Sequence, residues 1–297
     1  QNQNLLDIKF TVEENTPIEE DVALDPELLG RVFETLLASF NPETKTTARK
    51  ATGSYYTPRE IVDYMVNESI KVCLESTLVN KFGIDEEIAK EKLNILINYN
   101  ETPNPFNNKQ TRALIEAIDK LKILDPACGS GAFPMGMLHK LVYILEKLDF
   151  DNKIWKETQS KKLSEEMKKT MDISYSKEER EQLQKDINEI FDSSMYDPNY
   201  ARKMYIIENC IYGVDIQPVA TQISKLRFLI SLVTEQKTDP SKPNCGVRPL
   251  PNLETKFIAA NTLIDITNSG FLKSQKIIDL EKELKEIRHK IFSDKTV

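Results

Sequence analysis

Apolar residues along this chain recur at helical spacing over long stretches, and between those stretches lie short apolar runs that end in small or turn-forming residues. After a polar, aperiodic lead-in over residues 1–20, Leu28, Leu29, Val32, Phe33, Leu36 and Leu37 follow the starting signal of Asp25 and Pro26 and predict a helix with one buried stripe. The Thr-, Lys- and Gly-rich segment from Asn41 to Tyr56 reads as loop. It leads to Thr57 and Pro58, a helix start with Thr as the cap and Pro in the first turn. A long amphipathic helix then runs through "REIVDYMVNESIKVCLESTLV". Residues 80–120 hold a second helix, an Asn/Pro-rich turn "NETPNPFNNK" and a short helix through "TRALIEAIDKL".

The order then changes. "KILD" is a short buried strand that runs into "PACGSG", and apolar spacing turns helical again from Gly131 to about Leu148. Strand, glycine loop and helix make half of a βαβ unit. A densely charged stretch of both signs follows from about 151 to 203, which predicts a solvated helical insertion. "NCIYGVDIQ" is the next strand, "PVATQISKLRFLISLVTEQ" a helix with Pro218 near its start, and "TKFIAANTLID" a third strand. Alternation of this kind predicts a mainly parallel α/β sheet. Ile277, Leu280, Leu284, Ile287 and Ile291 mark one more amphipathic helix at about 271–292. The division that results is a helical N-terminal segment over 1–120 and a sheet-bearing domain over 121–297.

Composition narrows the class without choosing a function. Lys and Arg number 40 against 47 Asp and Glu, a net charge of −7, which excludes a uniformly basic coat but not a local basic stripe. No apolar run approaches the roughly 18 residues of a membrane span, and residues 1–10 lack the pattern of a signal peptide, so a cytoplasmic location is expected. The four cysteines form no C-x-x-C pair, so neither zinc nor a disulfide framework is expected. The chain opens on Gln and stops within a helical pattern, and on that ground it reads as a piece of a longer protein.

Gly129 and Gly131 lie directly after a strand and before a helix, where backbone can approach a ligand closely and helix N–H groups face polar atoms. A tight turn with no ligand would look the same. A dinucleotide site would want a third small residue where Pro134 stands and an acidic residue about 20 positions on. Asp215 is instead 90 positions after Asp125, and no Gly-Lys-Ser/Thr completes a Walker loop. A nucleoside with a short charged tail fits better. Asp125 at the first strand end can hold an ammonium group, Asp215 at the second can accept two ribose hydroxyls, and Asn261 at the third can pair with an adenine edge, with Ile216 as an apolar face. S-adenosylmethionine carries these groups.

With these residues in place the chain resembles the adenine-N6 DNA methyltransferases of restriction-modification systems, especially the large enzymes that join endonuclease and methylase in one polypeptide. "TGSYYTPREIVDYMV", residues 52–66, which opens the lid motif placed at 53–75, is similar to the family's segment over the methionine end of the cofactor. "ILDPACGSGAF" resembles its cofactor loop, "YGVDIQPVATQISKLRF" its ribose strand and following helix, and "FIAANTLID" its adenine strand. Their order is that of the gamma arrangement. The resemblance implies a Rossmann-like methyltransferase fold, truncated here, with S-adenosyl-L-methionine as cofactor and double-stranded DNA as partner of the parent protein. It implies that Tyr56 and Thr57 touch the methionine carboxylate, that Asp125, Ala127, Gly129 and Gly131 line methionine and ribose, and that Phe133 supports the loop. Asp215 and Ile216 would bind ribose and adenine, and Asn261 the adenine edge. Plainer roles stay open: core for Phe133, a loop anchor for Tyr56, a turn former for Asn261.

The family's catalytic Asn/Asp-Pro-Pro-Tyr/Phe motif should follow the third strand, and it is absent from residues 1–297; the Asn104–Phe106 "NPF" reads as a turn. No catalytic residue is therefore assigned, and the fragment is expected at most to bind cofactor, without transferring methyl groups. A methyltransferase with a non-DNA acceptor and a non-catalytic interaction module are the competing readings.

Overall fold

A computed structural model of the chain describes residues 57–158, 198–236 and 251–264, with isolated positions at 32, 40–41, 46–47, 161, 241, 245, 280 and 283–284. Most of the helix predicted at 25–40, of the charged stretch and of the terminal helix lies outside the described residues. Where the helix predicted at 25–40 gives way to the segment read as loop, β1 (Phe40–Asn41) and β2 (Thr46–Thr47) pair antiparallel.

Three helices precede the sheet. Helix α1 (Arg59–Phe82) buries Val62, Val66, Ile70, Leu74 and Leu78, one residue per turn, and ends at Gly83, whose φ of 61° lets its N–H return to the Val79 carbonyl. The predicted Thr57 cap is not formed. Pro58 occupies the cap position without a side-chain bond, and its carbonyl takes the Ile61 and Val62 N–H groups. Helix α2 (Glu86–Ile97) starts on Asp85, whose carboxylate accepts from Glu87 and Ile88. Helix α3 (Asn108–Asp119) begins three residues earlier than its apolar pattern at Thr111, because Asn107 and Gln110 form a reciprocal capping box. Before it, Asn104 accepts the Phe106 N–H at 3.0 Å, so "NPF" is indeed a turn.

Strand β3 (Ile123–Asp125), helix α4 (Ala132–Leu148), helix α5 (Pro198–Asn209), strand β4 (Ile211–Asp215), helix α6 (Pro218–Val233) and strand β5 (Phe257–Ala259) complete the described elements. The three strands are parallel in the order β3-β4-β5, with Asp125 beside Gly213 and Asp215 beside Ala259. This is an α/β arrangement. Ile211, Gly213 and Phe257 share a face covered by α4 and α6, with the Phe228 and Phe257 rings 4.8 Å apart. Leu124, Tyr212, Val214 and Ile258 share the other face. Contrary to the expectation of a buried first strand, Leu124 is 62% exposed, since the described helices on the sheet cover the opposite face there.

The helical segment and the sheet share one hydrophobic core, in which Leu74, Leu93 and Leu114 meet Leu138, Ile144 and Leu145 of α4. Polar staples reinforce it. Lys140, buried on α4, donates to the Ile97 carbonyl and lies 3.6 Å from the Tyr99 ring centroid, while Lys147 donates to Ile95, so α4 caps the C-terminus of α2.

Both ends of the charged stretch, where they are described, pack into the core. Trp155 is 1% exposed and stands edge-on to Tyr205. Arg202 is equally buried because its guanidinium satisfies the Asp149 and Phe150 carbonyls beyond α4.

Gly213 is the tightest point of the sheet: a Cβ there would stand 2.6 Å from the Phe257 ring and 2.9 Å from Cys128 Sγ. Gly213→Ala should destabilise the chain by about 1–3 kcal/mol through overpacking. Urea unfolding checks this, and an unchanged midpoint would mean that Phe257 can swing aside.

Candidate cofactor-binding site

The loop after β3 is built by its own backbone. Asp125 Oδ1 accepts the Ala127 N–H at 3.1 Å, the Cys128 N–H reaches across to the Val214 carbonyl, and the Gly131 N–H closes on the Cys128 carbonyl at 2.8 Å. Gly129 and Gly131 take φ of 52° and 88°, values that L side chains rarely adopt. Gly131 has a second reason to be glycine. A Cβ there would meet Ser224 Oγ of α6 at 2.8 Å, so its smallness serves helix packing as well as ligand room.

Strand β4 supplies the second group. Asp215 Oδ2 accepts the Gly129 N–H and Oδ1 the Gln217 N–H, each at 2.8 Å, and its backbone carbonyl takes the Ala260 N–H beyond β5. The end of β5 closes the third side: Thr262 Oγ1 donates to the Pro126 carbonyl at 3.0 Å, and Asn261 Oδ1 accepts the Leu263 N–H at 3.0 Å. Asn261 thus forms a turn, as the plainer reading had it, and remains exposed at the rim. Ala127 and Ile216 are exposed on the same rim, Ile216 by 60%. Phe133, in the first turn of α4, is half-buried against the core.

The structure therefore brings Asp125, Ala127, Gly129, Gly131, Asp215, Ile216 and Asn261 to the C-terminal ends of three adjacent parallel strands. Thr57 precedes α1, whose Val62 packs close to Gly136 of α4. Tyr56 lies outside the described residues. Three contributors escaped the sequence reading: Ser224 and Arg227, which donate to the Gly129 and Ser130 carbonyls, and Thr262. A signal for the first two existed, since "ISKLRFLI" carries polar residues three apart on the face that α6 buries.

The electrostatics select for positive charge. Asp125 Oδ2 is buried with no hydrogen-bond partner. Burial raises the Asp125 pKa above the usual carboxylate range, the Ala127 N–H opposes this, and the negative charge of Asp215 adds to it. Cys128 is a buried thiol pushed up to about 12, by burial first and then by Asp125 and Asp215. An ammonium group fits this site, because it would supply both the missing partner and the missing charge, whereas a phosphate would meet two carboxylates. Among the described residues, no group of three or more His, Cys, Asp or Glu side chains could hold a metal ion, and no helix is long and apolar enough to cross a membrane.

Two outcomes follow from these charges. A carboxylate whose folded pKa is raised favours the fold below its unfolded pKa and loses that contribution as pH rises through the folded value. Asp125→Asn, which keeps the Oδ1 acceptor, should therefore raise the melting temperature of the ligand-free chain at pH 7, with the gain disappearing below the ordinary carboxylate pKa. Melts across pH 3–8 check this, and a variant that melts lower at pH 7 would contradict it. Alkylation of the native chain at pH 8 should label the exposed Cys73 and Cys245 quickly and leave Cys128 and Cys210 unmodified, as read by peptide mass spectrometry.

No family model matches the chain. In an alignment of 265 positions that covers 86% of the chain, it is 31% identical to a protein of Methanocaldococcus jannaschii that is provisionally described as a type II restriction enzyme and methyltransferase. The aligned region is 18% of that protein. The likeness is thus to one part of a far longer protein, and it spans most of the present chain.

Proposed function

We propose that the crevice at the ends of β3, β4 and β5 binds S-adenosyl-L-methionine, and that the chain is the cofactor-binding part of a site-specific DNA adenine-N6 methyltransferase with the gamma order of motifs. The observation that carries this reading is the buried, unpartnered Asp125 Oδ2 beside a loop that Asp125 Oδ1 and Asp215 hold by the Ala127 and Gly129 N–H groups. Asp125 takes the ammonium of the methionine end. Asp215 takes the ribose hydroxyls on the lone pairs that Gly129 and Gln217 leave, since a carboxylate offers about four acceptor sites. Ile216 gives the adenine an apolar face, and Asn261 its amide edge. Ala127, Gly129 and Gly131 border the methionine and ribose, Phe133 backs the loop, and Tyr56 with Thr57 reaches the carboxylate from the start of α1.

The cofactor supplies an activated methyl group on a sulfonium. The residues present orient it and balance its ammonium charge. Accepting the adenine amino group needs hydrogen-bond acceptors and an aromatic stacking surface around a flipped base. The Asn/Asp-Pro-Pro-Tyr/Phe sequence that does this in the family does not occur in residues 1–297. Double-stranded DNA is accordingly the substrate of the longer protein in this reading, and residues 1–297 alone transfer nothing.

Calorimetry with S-adenosylhomocysteine tests it. Asp125→Asn and Asp215→Asn should each weaken binding by roughly 10- to 100-fold, the range for about 1.5–3 kcal/mol in a charged hydrogen bond. Affinity of the wild type should fall as pH drops through the raised Asp125 pKa, because only the ionised carboxylate pairs with the ammonium. A wild-type chain that binds nothing, or an Asp125→Asn variant that binds as tightly, would sink the reading.

A further inference from the structure

Helix α6 touches the cofactor loop from its buried side. Ser224 Oγ donates to the Gly129 carbonyl at 3.0 Å, and Arg227 Nη1 donates to the Ser130 carbonyl at 2.9 Å. Ser224 is fully buried and Arg227 is 5% exposed, so both carbonyls point into the protein interior and away from the open rim at Ala127, Ile216 and Asn261. Other loop bonds are local or come from β4 and from the turn beyond β5: Gly131 N–H to the Cys128 carbonyl, Gly129 N–H to Asp215 and Thr262 Oγ1 to the Pro126 carbonyl.

We propose that Ser224 and Arg227 are positioning residues that turn two successive loop carbonyls onto α6 and so set the shape and polarity of the ligand side of the loop. The inference rests on the cofactor reading above and deepens it. Peptide groups are planar, so a carbonyl fixed inward carries the following N–H edge to the opposite side. Two carbonyl oxygens that pointed outward would add partial negative charge beside Asp125 and Asp215 and would meet the cofactor's own carboxylate with repulsion. Pinned inward, they leave the two side-chain carboxylates as the negative groups of the crevice. Both residues occupy one helix face, three positions apart, so a single rigid element holds both peptide planes in one register. Neither side chain is assigned a contact with the ligand.

The pins also explain why Gly131 and Ser224 approach so closely. Ser224 Oγ stands 2.8 Å from where a Gly131 Cβ would be, so the helix comes near enough for a short side chain to reach Gly129. A longer residue at 224 would push α6 away from the loop.

Ser224→Ala and Arg227→Met remove one donor each, and Arg227→Lys keeps a cationic donor at the same place. Three measurements on the whole chain separate positioning from plain stability: calorimetry with S-adenosylhomocysteine, thermal melting without ligand, and amide hydrogen exchange at residues 128–132. Ser224→Ala and Arg227→Met should each weaken binding roughly tenfold, the loss of a single hydrogen bond. Exchange at 128–132 should rise in both while α4 and α1 stay protected, and Arg227→Lys should recover most of the affinity. Unchanged affinity with unchanged loop exchange overturns the proposal. So does a loss of affinity that tracks a lower melting temperature with exchange raised uniformly, because that marks a purely structural role. If the wild type bound no cofactor, the proposed function would fall first. Loop exchange in the unliganded variants would still decide whether Ser224 and Arg227 hold the loop.

Discussion

One carboxylate holds the ends of the sheet in a common frame. Asp215 receives the Gly129 N–H from the loop after β3 and the Gln217 N–H from the start of α6, while its main-chain carbonyl receives Ala260 from beyond β5. The loop after β3, the start of α6 and the turn beyond β5 are thereby tied to a single residue. The arrangement concentrates negative charge, and that charge contributes to keeping the neighbouring Asp125 carboxyl above its usual range. An Asp125 without a partner is a cost to the fold, and such a cost is tolerated where binding removes it.

Close packing beneath the crevice makes this frame stiff. Gly213 lets Phe257 and Cys128 approach from two sides, and Gly131 lets α6 approach the loop. Substitution at either glycine would separate layers that must touch for Asp215, Ser224 and Arg227 to reach backbone groups on another element. The same density makes Cys128 a small filler: its thiol is buried between two acidic side chains, conditions that oppose a thiolate. Its place inside the loop therefore reflects volume rather than reactivity.

Periodicity made most of the architecture readable. The stripe from Val62 to Leu78, the strand before "PACGSG" and the apolar face of α6 all appear where their spacing puts them. The misses share a cause, which is that a linear pattern does not tell who satisfies whom across the fold. Thr57 looked like a cap, but Pro58 takes that position. Arg202 looked solvated, but two carbonyls at the end of α4 call its guanidinium inward. Leu124 looked like core, yet strand composition does not say which face of a sheet is covered. In the site, Asp125 and Asp215 were legible because strand ends in chain order are a one-dimensional signal. Ser224 and Arg227 showed only as polar residues on a buried helix face, and their roles did not show, since their targets are carbonyls 95 and 97 positions away.

Asn152, just beyond α4, donates its side-chain amide to the carbonyl of Pro198, the first residue of α5, at 2.9 Å. Positions 152 and 198 thus meet at nearly one point of the core, with Trp155 and Arg202 buried beside it. Closing a loop costs only about 0.6 kcal/mol more for each doubling of its length. The sheet consequently depends on where those two positions meet, and hardly on how many residues lie between them. Relatives could lengthen, shorten or replace the intervening segment and keep the same crevice, which makes this junction a natural place for such proteins to diverge and for a foreign domain to be grafted.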